Sequence, residues 1–164
     1  MPVQSLIDTL EQLIDLHQDL TSLAQQKTDV IKTEDLKQLG SILVQEKKLV
    51  DGIEKLELVR QNDVHTFLEE KGIANGAGLL SECIEYASIE EQAVLMNLGA
   101  KLREVIASLK EQNELNQQLI YQSLQFVNLN LNLMLPEQDS YTYERPQDPE
   151  NERKQSKSLF DSKA

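Results

Sequence analysis

Val127-Asn-Leu-Asn-Leu-Asn-Leu-Met-Leu135 decides the fold class of this chain, because two secondary structures compete for it. Apolar residues alternate with others at a period of two, the pattern of a half-buried β-strand. A strand needs a neighbour for its backbone N–H and C=O groups, and no second strand candidate exists in the 164 residues. The stretch instead continues a run that opens at Ser88-Ile-Glu-Glu91, a capping box with Ser at N-cap and Glu at N3. No proline interrupts that run before Pro136. The continuity predicts one helix over 89–135, roughly 70 Å long at 1.5 Å per residue.

Along this helix Leu95, Gly99, Leu102, Ile106, Leu109, Asn113, Asn116, Ile120, Ser123, Val127, Asn130 and Met134 follow helical spacing. The seam is apolar in its first half and interrupted by polar residues in its second. Its end carries two apolar stripes. Leu115, Leu119, Phe126, Leu129 and Leu133 form one, and Ile120, Leu124, Val127, Leu131, Met134 and Leu135 form the other, about 140° away around the helix. One stripe suffices to pack on a helical body. A second stripe needs a second apolar partner, so either the helix is buried centrally between two others or one stripe is a partner-binding surface.

Upstream, Val3, Leu6, Leu10, Leu13, His17, Leu20 and Ala24 form a heptad seam, which predicts a helix over 2–31 packed lengthwise on another. His17 lies on that seam without a second His, Cys or paired acid at ligand spacing, so it reads as a partly buried imidazole sharing a hydrogen bond. Thr33 is a candidate N-cap for a second helix over 34–71, with Glu34 and Asp35 in its first turn. Leu36, Leu39, Leu43, Val50, Ile53, Leu56, Val64 and Phe67/Leu68 mark its expected buried face. Gly40 and Gly52 inside it mark either close helix approach or tolerated weakness. Gly72-Ile-Ala-Asn-Gly-Ala-Gly78 is a loop, and it lacks the following Gly-Lys-Ser/Thr and the preceding strand of a phosphate-binding loop. A short helix over 79–87 follows. The expected fold is all-α: an antiparallel bundle of three long helices with a short extra helix over 1–136, and a disordered tail over 137–164. Pro146, Pro149 and mixed charges leave the tail little to bury, though Tyr141-Thr-Tyr143 and Leu159-Phe160 are candidate short binding motifs.

Charge narrows the function. Asp plus Glu number 28 against 16 Lys plus Arg, a net charge of -12. Such a surface repels phosphate backbones and lacks a polybasic anchor, which argues against nucleic acid and against stable membrane insertion. The first 26 residues contain four acids and no base, unlike a secretory leader, and no apolar run reaches the length of a membrane span. The single cysteine, Cys83, excludes an intrachain disulfide and has no local basic neighbour to favour a thiolate. These features fit a reducing cytoplasm. No Ser or Cys nucleophile accompanies a nearby His, and no His pair suits a metal, so neither an enzyme nor a cofactor is expected.

Several segments together resemble the FlgN-type flagellar export chaperones. Leu36-x-x-Leu39, Glu46-Lys-Lys-Leu-Val50 and Leu56-Glu-Leu-Val-Arg60 are similar to the family's second helix. Asn113-Glu-Leu-Asn116-Gln-Gln-Leu119-Ile120-Tyr-Gln-Ser123-Leu124-Gln-Phe126-Val127 matches its order of two asparagines, paired aliphatics, Ser-Leu and a large apolar pair. The resemblance spans roughly residues 3–143. It implies a cytosolic type III export chaperone that binds the C-terminal segments of flagellar hook-associated proteins at the hook–filament junction, prevents their premature assembly and delivers them to a membrane protein of the export gate. The residues it implicates are Asn113, Asn116, Leu119, Ile120, Leu124, Phe126, Val127 and Leu131. The family's Tyr-Gly pair beyond the last helix, used at the export gate, has its nearest counterpart at Tyr143, where Glu144 replaces the glycine. A spectrin-like scaffolding coiled coil is the alternative, and a homodimer stays open.

Overall fold

The computed structural model describes residues 2–135, and over them the chain is all-helical, with four helices and no strand. Helix α1 spans Pro2–Thr33, α2 Leu36–Glu70, α3 Leu80–Tyr86 and α4 Ile89–Met134. The tail expected to be disordered, 137–164, lies outside the described residues. The period-two stretch is helical: Val127 to Met134 belong to α4, and Leu135 N–H still donates to the Leu131 carbonyl at 3.0 Å. A helix satisfies its backbone internally, which a strand without a neighbour does not.

The chain divides into two units, Met1–Gln125 and Phe126–Ala164. In the first, α1 and α2 run in opposite directions. Val3, Leu6 and Leu10 at the start of α1 pack with Val64, Phe67 and Leu68 at the end of α2, while Leu23 and Val30 pack with Ile42. Helix α4 runs alongside α1 in the same direction, for Leu95 joins the cluster of Leu6 and Leu10, and Leu109 joins Leu20 and Ala24. Cys83 of α3 completes the first cluster. The α1 seam is as expected, with Val3, Leu6, Leu10, Leu13, Leu20 and Ala24 buried and His17 half-buried, its Nδ1 2.7 Å from the Leu13 carbonyl oxygen.

Two local expectations are corrected. Leu36, Leu43 and Val50 are exposed rather than buried, and Ile42 and Asp63 are buried in α2 instead. The packed stripe of α2 follows 39, 42, 46, 49 and 53, which places 36, 43 and 50 about 80° to one side. Thr33 does not cap α2. It ends α1, donating Oγ1–H to the Val30 carbonyl, and Asp35 is the N-cap, its carboxylate accepting from Gln38 N–H at 3.0 Å. The reason is Glu34, whose left-handed φ of 56° turns the chain before α2 begins. The second predicted cap holds: Ser88 N–H donates to Glu91 Oε2 at 2.9 Å and Glu91 N–H donates to Ser88 Oγ. Of the two α2 glycines, Gly52 marks close approach, since a Cβ there would lie 3.3 Å from Leu16 Cδ1, whereas Gly40 faces open space.

Candidate partner-binding surface

The chemistry of α4 changes at Leu115. Charged residues are scattered through the helix as far as Glu114, but none of the chain's 28 acids and 16 bases falls between Leu115 and Leu135. That stretch contains only apolar residues, neutral amides, Tyr121 and Ser123. In the first unit Leu119 and Ile120 are half-buried and Leu124 is 58% exposed. In the second, Phe126 is 60% and Leu131 52% exposed, and Val127, Leu129, Leu133, Met134 and Leu135 are exposed as well. Among the described residues, none from Leu124 to Leu135 is buried. Exposed apolar side chains on a helix are the kind of surface that a partner can cover.

Asn116 is different from its predicted companions. It is buried, and its amide is spent on α1: Nδ2 donates to the Ala24 carbonyl at 2.8 Å, and Oδ1 accepts from the Thr28 hydroxyl. The Thr28 proton is shared with the Ala24 carbonyl, and Gln112 Nε2 donates to Thr28 Oγ1 at 2.6 Å. A saturated polar layer of this kind fixes the register between two helices. Asn113, a turn earlier, is half-buried. Tyr143 lies outside the described residues.

The family resemblance did not implicate Tyr121, Leu129, Leu133, Met134 and Leu135, although all are exposed. Four of them belong to the two stripes, and the charge-free run adds Tyr121. The intramolecular role of Asn116 had a weaker signal, the Ala24/Thr28 pair one turn apart on α1.

Other ionisable groups serve structure. Asp63 is buried and accepts from the Ser5 and Thr9 hydroxyls at 3.0 and 2.8 Å, tying α2 to the start of α1. Lys27 spans α1 and α2 to both oxygens of Glu46 at 3.1 and 3.0 Å. Glu82 accepts from the Leu79 and Ala77 backbone N–H groups, which pins the glycine-rich loop and holds its carboxyl below the usual range. Burial, with help from the Glu82 carboxylate, pushes the Cys83 thiol up to about 11, so it stays protonated and unreactive. Among the described residues no group of three His, Cys, Asp or Glu side chains is placed to hold a metal ion, and no helix is long and apolar enough to cross a membrane.

These features define a chain that is all-helical over the described residues, with a last helix that carries no charge from Leu115 onward. The model of the FlgN protein family matches residues 1–151, and the chain belongs to that family of flagellar export chaperones. A relative from Bacillus subtilis (strain 168), the uncharacterized protein YvyG, is 31% identical over 164 residues, the full length of both chains. No solved structure matches the chain.

Proposed function

We propose that this chain is a cytosolic chaperone of flagellar type III export. It binds the C-terminal segments of the hook-associated proteins of the hook–filament junction, keeps them from assembling early and brings them to a membrane protein of the export gate. Residues 1–136 form the chaperone domain, an antiparallel bundle of the three long helices, and 137–164 form a tail whose Tyr143 contacts the gate. The observation that carries this reading is the run from Leu115 to Leu135 in a chain of the FlgN family: apolar, exposed toward its end and free of charge. An amphipathic cargo segment lies against Leu119, Ile120, Leu124, Phe126, Val127 and Leu131 in the helix-in-groove mode, with Asn113 at its edge. Asn116 supports this surface from inside by holding α4 on α1.

Titration calorimetry of the full chain with C-terminal peptides of hook-associated proteins tests the proposal. Binding at micromolar or better affinity is expected, with negative heat-capacity change from apolar burial. Phe126→Asp with Leu131→Asp is expected to abolish it while leaving helicity intact. Absence of binding to any such peptide, or full binding by the double variant, overturns the proposal.

A further inference from the structure

We infer that the first half of α2 carries a second docking surface, which takes an acidic amphipathic helix of another protein. Leu36, Leu43 and Val50 repeat every seven residues, and Val44 lies beside Leu43. All four are exposed, Leu36 at 79% and Val44 at 59%. They occupy an arc of about 120° beside the face of α2 that packs on α1. A seven-residue apolar repeat suits a second helix laid lengthwise against it. The surface lies wholly within the first unit and does not rest on the cargo reading of α4.

Gly40 is an independent observation at the same place. It stands within the arc between Leu36 and Leu43, and a Cβ built on it would meet nothing within 4 Å. A glycine inside a helix destabilises it relative to alanine. No contact among the described residues accounts for this one. A notch there lets a large side chain of an incoming helix approach the α2 backbone closely.

Charge selects the occupant. The chain has 28 acids against 16 bases, yet Leu36 to Val50 holds three lysines and one acid. That acid, Glu46, is already held by Lys27 of α1 at 3.0 Å. Lys37 and Lys48 are exposed along the edge of the arc away from α1. Lys47 lies within the arc and is engaged only by a surface pair with Asp51. An acidic partner helix meets these ammonium groups at the rim of its apolar contact, where a basic one meets like charge. Glu34 and Asp35 before the stretch, and Asp51 and Glu54 after it, limit the contact to about four turns. One helix on four aliphatic anchors buries less than the roughly 1,200 Å² of a stable interface, so the complex exchanges readily.

The probe is a labelled synthetic helix of about three heptads, with leucines on one face and glutamates along both edges. A sister peptide carries lysine at every glutamate. Fluorescence anisotropy reads binding to the full chain bearing Phe126→Asp and Leu131→Asp, which closes the α4 surface, so the result stands whether or not hook-associated peptides bind. The glutamate peptide is expected to bind in the range of roughly tens to hundreds of micromolar, about tenfold or more tighter than the lysine peptide, and to weaken as salt rises. Adhesion governed by the net charge of the chain would rank the two peptides the other way. Adding Leu43→Gln with Val44→Gln is expected to abolish binding with unchanged circular dichroism. Adding Gly40→Leu instead is expected to weaken binding about tenfold or more while raising the melting temperature, and a glycine that is merely tolerated gives only the second effect. A lysine peptide that binds as tightly as the glutamate peptide overturns the inference. So does binding that survives either set of α2 substitutions, or no binding at about 1 mM. A dimer of this chain that the Leu43 and Val44 substitutions dissolve assigns the face to a second copy and overturns it as well.

Discussion

The two ends of the first unit use the same helices and pack them differently. Where α1 starts, α2 finishes and α3 crosses, the side chains of Val3, Leu6, Leu10, Val64, Phe67, Leu68, Cys83 and Leu95 close into one cluster. Toward the other end the clusters shrink to Leu20, Ala24 and Leu109, and to Leu23, Val30 and Ile42. There the contact between α1 and α4 turns polar at Thr28, Gln112 and Asn116, and Leu36, Leu43 and Val44 of α2 are exposed. Local stability follows the density of buried apolar contacts, so the closed end holds the fold and the open end holds less of it. Exposed apolar side chains occur at both ends, Ile89 and Met96 near the closed one and Leu36 and Val44 at the open one, so the two ends differ in buried packing rather than in exposure.

The sharpest test of that contrast is to truncate large side chains at each place. Phe67→Ala or Leu68→Ala at the closed end is expected to cost about 3–5 kcal/mol, the usual cost of a cavity in a tight core. Leu124→Ala, on an exposed position of α4, is expected to change stability by less than about 0.5 kcal/mol. Urea unfolding of the three variants measures both. Equal losses would mean that Leu124 is packed as well as the core and that the contrast is false.

The helices and the closed end were legible in the sequence because heptad spacing on α1 and the capping box before α4 are local signals. The choice of helix for Val127–Leu135 rested on a global count of strand partners, and it held. What stayed hidden depends on rotation of one helix against another. The spacing of Leu36, Leu43 and Val50 marks an apolar stripe but not the direction it faces, and on α2 it faces away from the packed side. Asn116 was readable as a polar seam residue, but its bonds to Ala24 and Thr28 required knowledge of which turn of α1 lies opposite. The exposed surface was legible only as one of two alternatives, since two stripes on one helix need either central burial or a second partner.

The polar layer offers the next test. Asn116→Leu takes an acceptor from the Thr28 hydroxyl and a donor from the Ala24 carbonyl, and is expected to cost about 1–3 kcal/mol. Adding Thr28→Val removes the hydroxyl as well, and much of the loss is expected to return. A double-mutant cycle by urea unfolding reads the coupling. Strictly additive losses would show that the layer does not act as a unit and that the open end lacks a register lock.

The closed end carries its own pH signature. Burial foremost, and Glu82 second, raise the Cys83 thiol to about 11, against an unfolded value near ~8.5. The folded state therefore keeps a proton that the unfolded state gives up across that interval. Stability from this group is fully present below ~8.5 and declines as pH rises toward about 11. Unfolding free energy measured between pH 8 and 10.5 is expected to fall more steeply for the wild type than for Cys83→Ala. Parallel slopes would mean that the thiol titrates no differently in the folded chain.

The smallest contrast lies in how a helix stops at each end. At the closed end α2 stops at Gly72, whose φ is 77°. Its N–H donates to the Glu69 carbonyl and that of Ile73 to the Leu68 carbonyl, both at 2.9 Å, the paired bonds of a Schellman motif. At the open end α1 stops at Glu34, with a φ of 56° and one bond, from its N–H to the Ile31 carbonyl at 3.3 Å. The left-handed conformation costs a residue with a Cβ roughly 1–2 kcal/mol. Glycine removes that cost, though its freer unfolded chain offsets about 0.4–1 kcal/mol of the gain. Glu34→Gly is therefore expected to stabilise the protein by about 0.5–1 kcal/mol. Glu34→Gln, which removes the same charge without freeing the backbone, serves as the control, and the difference between the two in urea unfolding isolates the turn. Gly72→Ala is expected to move the other way by about 1 kcal/mol. If Glu34→Gly gains nothing over Glu34→Gln, the turn between α1 and α2 carries no backbone strain, and the open end owes its looseness to side-chain packing alone.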